Sequence, residues 1–192
     1  MKLIILDRDG VINQDRDDFV KSADEWIPIE GSMDAIAFLT QAGYTVAVAT
    51  NQSGIGRKYF TVQDLTEMHA KMHRLAVQAG GAIDGIWFCP HTAADNCDCR
   101  KPKPGMICDI LERFKADPAE TWLVGDSLRD LQAVDAAGGK SALVLTGKGK
   151  KTLSEHENEL PENTQIFDNL LAFSQYIMQE TAQDRADGQA NP

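Results

Sequence analysis

Four short stretches carry side chains that could act together on one substrate: DRDG at 7–10, TNQS at 50–53, RKPKPG at 100–105 and GDSLRD at 125–130. Asp7 suits a nucleophile, because a carboxylate can divide one hard displacement into two easier ones through a covalent intermediate. Asp9, two residues on, is placed to give a proton to the leaving oxygen and later take one from the attacking water. Carboxylates beside a phosphate repel it, so a hard cation is needed, and Asp7 with Asp126 matches the oxygen-rich coordination of Mg²⁺. The Thr50 hydroxyl, neighbouring backbone N–H groups and Lys101 would hold the charged phosphoryl oxygens. The chemistry that uses this whole set is phosphoryl transfer through an aspartyl-phosphate.

A second cluster sits between the second and third stretches. Cys89, His91, Cys97 and Cys99 form the pattern C-x-H-x5-C-x-C. Four soft or borderline donors suit tetrahedral Zn²⁺, and with no open position the ion would be structural. A disulfide is the rival reading, disfavoured because Cys97 and Cys99 are too close to bridge easily and the compartment reads as reducing. Unliganded cysteines are the bland reading. The intervening HTAADN has little apolar surface, so metal coordination could order it where a core cannot. Arg100 and Lys101 follow the last ligand directly, so zinc would set both cations over the site.

Those residues need a frame. Continuously apolar runs at 2–6, 44–50, 85–89, 121–125 and 141–145 read as strands buried on both faces of a parallel sheet. Helical patterns at 32–41, 61–79, 104–115 and 127–137 alternate with them, which predicts an α/β doubly wound, mainly parallel sheet. Leu65, Met68, Met72, Leu75 and Ala79 make one apolar helix stripe, a core face. Residues 148–164 read as polar loop, followed by a last helix. Residues 1–183 are expected to form one domain, with 184–192 a frayed, disordered tail. In open parallel sheets ligands bind beyond the carboxyl ends of the strands, where all four stretches emerge.

LDRDGVIN, ATNQSGIGR, CRKPKPG and VGDSLRD together resemble the four motifs of the haloacid dehalogenase-like phosphatases. CPH followed by CDCRKP is similar to the branch holding sugar-bisphosphate phosphatases and histidinol-phosphatases. The resemblance spans residues 2–147. It implies a Rossmann-like haloacid dehalogenase fold and a Mg²⁺-dependent phosphatase with Asp7 as nucleophile and Asp9 as acid/base. It also implies Mg²⁺ held by Asp7, the Asp9 carbonyl and Asp126. Substrate contacts are implied at Asp15, Arg16, Asp17, Asp18, Thr50, Asn51, Gln52, Ser53, Arg100 and Lys101. Some relatives carry lysine where Ser127 stands, so no substrate contact is assigned there. The intervals 9–50 and 50–101 hold only core elements and the zinc loop, leaving no room for a cap domain.

Composition narrows the function classes. With 19 Lys+Arg against 29 Asp+Glu and a formal net charge of -10, the 192-residue chain lacks the basic face of a nonspecific nucleic-acid binder. The start MKLIILDRDG is too short in apolar residues for a signal peptide or membrane span, and a cytoplasmic monomer is expected. DRDGVINQDRDD is no EF-hand, since glycine falls fourth, and TGKGKKT is not a P-loop. His69 and His73 read as packed or solvated, Cys108 as packing, and Asp130 as either metal support or a helix cap. Lys101 is committed to the transferred phosphoryl group, which leaves Arg100 for a second phosphate. The expected substrate is therefore a sugar phosphorylated at both ends, heptose 1,7-bisphosphate cut at C7, in the synthesis of lipopolysaccharide-core precursors. Histidinol phosphate, a related sugar phosphate, a DNA end and a non-catalytic zinc-stabilised binding module are the alternatives.

Overall fold

The computed structural model describes residues 1–189, with backbone only for 184–189. Six strands pair throughout in parallel: β1 (Leu3–Leu6), β2 (Thr45–Asn51), β3 (Gly85–Cys89), β4 (Trp122–Gly125), β5 (Lys140–Val144) and β6 (Gln165–Phe167). Their order is β3-β2-β1-β4-β5-β6, so β1 lies between β2 and β4 at the point where the winding reverses. Seven helices connect them: α1 (Ser32–Gln41), α2 (Ser53–Gly56), α3 (Val62–Gln78), α4 (Gly105–Phe114), α5 (Leu128–Ala136), α6 (Gly149–His156) and α7 (Leu170–Gln189).

The period-two alternation of β1 divides the core. Ile4 and Leu6 face Ala35, Ile36 and Leu39 of α1, Met68 and Met72 of α3, and Phe173 of α7. Leu3 and Ile5 face Met106, Ile107 and Ile110 of α4 and Ala133 and Val134 of α5. Two buried faces explain why the strands carry no polar alternation. Between Asp9 and Thr50 stand one long loop and α1, and between Thr50 and Lys101 stand α2, α3, β3 and a short 3-10 turn. Among the described residues no helix is long and apolar enough to cross a membrane.

Three expectations are corrected. Residues 148–164 are not simply loop: α6 lies within them and β6 starts directly after, hidden in the sequence by Gly147, Gly149 and a run of charges. Cys108 is exposed on α4 rather than packed. Helix α7 continues to Gln189, so the tail expected from residue 184 begins within it, and 190–192 lie outside the described residues.

Candidate active site

The carboxyl ends of β1, β2 and β4 and the loop after β3 deliver Asp7, Thr50, Asp126 and Lys101 to one rim. A cleft of ≈ 190 Å³ opens there, lined among others by Asp7, Asp9, Thr50, Arg100, Asp126 and Arg129. Asp7 is fixed by its N–H donating 2.9 Å to Val124 O of the neighbouring strand. Asp126 is enclosed by two glycines at positive φ, Gly10 and Gly147, where any Cβ would strike its carboxylate. The Lys148 N–H donates to Asp126 Oδ2 at 2.8 Å.

Carboxylate oxygens of Asp7, Asp126 and Asp130 lie within 4.8 Å of one another, all buried. Burial and the neighbouring Asp130 push the Asp7 carboxyl up to about 6, and burial with the same neighbours raises Asp126 well above the usual range. A close set of buried, mutually repelling oxygens is what a hard divalent cation would relieve, so the residues fit Mg²⁺. Lys101 already offsets part of that charge. Its Nζ meets Asp7 Oδ1 at 3.1 Å and Asp130 Oδ1 at 2.6 Å, the latter off hydrogen-bond alignment, and donates to Ala49 O at 2.6 Å. Burial opposes its charge, but Asp130 and Asp7 outweigh burial and raise its pKa. Of the two roles left open for it, Asp130 fills the helix cap, closing a capping box with Ser127 at the start of α5, and it also backs Lys101.

Asp9 stands apart from the three-carboxylate group. Its carboxylate takes the Arg8 fork at 3.0 Å, Asn13 Nδ2 at 2.9 Å and Gln52 Nε2 at 2.8 Å. Burial works against its charge, yet Arg8, Asn13 and Gln52 win and hold it below the usual carboxylate range. In this arrangement Asp9 rests ionised. Thr50 Oγ1 accepts from Gln52 Nε2 at 2.9 Å, leaving its own proton to donate. Asn51 exchanges bonds with the Lys101 backbone, Oδ1 accepting at 3.2 Å and Nδ2 donating at 3.1 Å, and thereby ties the loop after β3 to the end of β2.

The substrate-contact residues implied by the resemblance gather in part. Asp15, Arg16, Asp17, Asn51, Gln52, Ser53 and Arg100 line the cleft. Asp18 does not: it is held by Arg16 at 3.0 Å and Lys21 at 2.9 Å, beside a surface hollow with Phe19 and Tyr59. Lys101 lies beneath the cleft lining, fully buried. Sequence reasoning missed Arg8, Phe19, Arg129 and Lys148. Arg129 sits inside the fourth stretch and could have been found there; Lys148 belongs to a segment set aside once the P-loop was excluded. His69 is packed against Phe88 with Nε2 3.4 Å from Arg8, and His73 is exposed.

The cysteine cluster assembles as its spacing required. Cys89 Sγ lies 3.6 Å from Cys97 Sγ and 3.7 Å from His91 Nδ1, and Cys99 Sγ lies 3.5 Å and 3.4 Å from the same two atoms. Sulfurs so spaced are not bonded, which removes the disulfide. Tetrahedral zinc with bonds of about 2.0–2.3 Å demands donor separations of roughly 3.5–3.8 Å, so the cluster fits that ion. Cys89 is anchored in the core beside α4, whereas His91 is exposed. Arg100 Nη1 donates to His91 O at 3.2 Å, linking the cluster to the cleft it borders.

Comparison with known proteins agrees with this geometry. The model of the HAD-hydrolase-like family matches residues 98–173. A D-glycero-beta-D-manno-heptose-1,7-bisphosphate 7-phosphatase of Neisseria meningitidis is 83% identical over 97% of this chain and 100% of its own length. Its counterpart from Bordetella bronchiseptica is 54% identical over 94% of this chain and 99% of its own. The crystal structure of D,D-heptose 1,7-bisphosphate phosphatase from B. bronchiseptica, complexed with magnesium and phosphate, superposes with a TM-score of 0.91 at 54% identity, covering 94% and 99% of the two chains.

Proposed function

We infer the reaction of this chain from its family, for it belongs to the D-glycero-beta-D-manno-heptose-1,7-bisphosphate 7-phosphatases among the HAD-like hydrolases. It hydrolyses the C7 phosphate of heptose 1,7-bisphosphate, of the β anomer that its relatives' name specifies. The observation that carries this is the 83% identity across nearly the whole chain, met by a cleft in which Asp7, Asp126 and Lys101 converge.

In this reading residues 1–183 act as one cap-free catalytic domain. Asp7 Oδ attacks phosphorus and the bond to the C7 oxygen breaks; the sugar leaves with a proton from Asp9, which rests ionised and takes up that proton from solvent when substrate binds. Asp9, again ionised, takes a proton from the water that attacks the aspartyl-phosphate, releasing phosphate and restoring Asp7. Lys101 and Thr50 hold the phosphoryl oxygens, and Asp15, Arg16, Asp17, Asn51, Gln52, Ser53 and Arg100 contact the substrate. Mg²⁺, held by Asp7, the Asp9 carbonyl and Asp126, supplies charge neutralisation at the phosphoryl group. Zn²⁺ in the Cys89, His91, Cys97 and Cys99 cluster orders the loop. We place the enzyme in the cytoplasm as a monomer, in the synthesis of lipopolysaccharide-core precursors.

Phosphate release across a panel of α- and β-heptose 1,7-bisphosphate, heptose 7-phosphate and histidinol phosphate tests the reading. The β bisphosphate should give the highest kcat/KM. Histidinol phosphate as the best substrate would overturn it.

A further inference from the structure

Arg129 is the cation of the cleft with no assigned work. The others are engaged: Arg8 by Asp9, Lys101 by Asp7 and Asp130, Lys148 by Asp15 at 2.9 Å, Arg16 by Asp18, and Arg100 by His91 O. Among the described residues the Arg129 side chain makes no hydrogen bond and no ion pair, although it is half-buried and close enough to Asp130, Asp7, Asp126 and Asp15 to feel their charge. Those four carboxylates outweigh burial and keep it charged, but none takes its N–H donors, which leaves the guanidinium fork open to a ligand. Arg129 is the second residue of α5, where the helix dipole disfavours positive charge.

Its position suggests what that ligand is. Arg129 and Lys148 line the catalytic cleft and also a second hollow of ≈ 410 Å³ over α5 and α6, where Lys151 joins them. A ligand leaving the cleft on this wall passes three cations, none of which holds the reacting phosphoryl group. A guanidinium can grip a phosphate through two parallel N–H bonds. Arg100, the residue expected to do this from the sequence, has one of its nitrogens spent on the zinc loop.

We infer that Arg129 is a specificity-determining residue that binds the phosphate left on the product, with Lys148 beside it. This rests on the bisphosphate reading above. Arg129 contacts the distal end of the substrate and not the reacting atoms, so its weight falls on KM.

The test compares Arg129→Gln, Arg129→Lys and Arg100→Ala with the wild type, using β-heptose 1,7-bisphosphate and heptose 7-phosphate at saturating Mg²⁺. For Arg129→Gln, kcat/KM on the bisphosphate should fall about 10- to 100-fold, mostly through KM, and by no more than about twofold on the monophosphate. Arg129→Lys keeps charge without the fork and should lose less. Equal losses on both substrates, or a raised Mg²⁺ requirement, would show that Arg129 only balances the carboxylates, and the inference fails. It fails equally if only Arg100→Ala separates the two substrates. A wild type that does not turn over the bisphosphate removes the functional reading first, before any variant is compared.

Discussion

The molecule holds two clusters of side chains that could each hold a metal ion, built on opposite principles. In the cleft, Asp7, Asp126 and Asp130 are hard donors forced together by strand ends and buried in a rigid core. The frame stands first, and the charges are tolerated for the chemistry they do. In the loop after β3, soft donors stand on a segment whose tip, from His91 to Asn96, is mostly exposed and has almost no apolar cover. On the proposed reading the ligands come first there, and the frame depends on what they bind. Stability and activity should therefore separate in the cleft and move together in the loop.

The largest effect expected is in the cleft. Asp7→Asn should reduce turnover by about four orders of magnitude or more, because the amide keeps the shape and loses the nucleophile. The same variant should melt no lower than the wild type in metal-free buffer at neutral pH. Asp7 has a folded pKa near 6, above its unfolded value of 3.8, so its ionisation destabilises the fold as pH rises through 6. Removing that charge relieves the repulsion. Steady-state kinetics and calorimetry on one preparation check both halves, and a well-folded, active Asp7→Asn would end the mechanism.

The loop should respond the other way. Cys97→Ser with Cys99→Ser should release bound metal, lower stability by roughly 2–4 kcal/mol and make 90–103 sensitive to protease. Activity should fall with it, since Arg100 and Lys101 are carried on the same segment. Elemental analysis, melting temperature and kcat/KM measured together decide the point. Should the double variant keep its melting temperature, the bonds of Thr92 to Asp95 and of Lys103 to Asn96 and Asp98 hold the loop unaided, and the contrast collapses.

The smallest effect sharpens the contrast through a histidine pair. His91 is exposed in the loop, but His69 is half-buried and held near pKa 4, first by burial and then by Arg8. A histidine depressed from 6.5 to about 4 gives stability that is whole above 6.5 and lost as pH falls toward 4. His69→Gln should flatten that acid limb by about 1–2 kcal/mol, discounted for its partial exposure. Melting temperatures at pH 4.5 and 7.5 measure it, and an unchanged pH slope would remove His69 from the account.

Chemistry was more legible in the sequence than its surroundings were. Asp7, Thr50 and Asp126 could be placed because each ends or follows an apolar run, and parallel strands put their ends on one side; Lys101, beyond the cysteine loop, was placed through the resemblance. The cysteine cluster was legible because metal geometry constrains spacing. What stayed hidden depended on pairs far apart in sequence. Nothing local says that Asn51 grips the Lys101 backbone, or that Lys148 reaches Asp15. α6 and β6 escaped because a short helix with glycines at its start and a three-residue strand leave almost no periodicity to read.

The strand order has a consequence for how the chain matures. β1 is made first, but its neighbour β4 is read out more than a hundred residues later, so one edge of LIIL waits unpaired through most of synthesis. An apolar open edge is a site for mispairing, and long-range parallel closure is slow. The nucleophile shares that wait, because Asp7 is pinned by Val124 and neutralised by Lys101 only after both arrive. A chain that ends before residue 124 thus carries Asp7 without the strand carbonyl that fixes it at the rim.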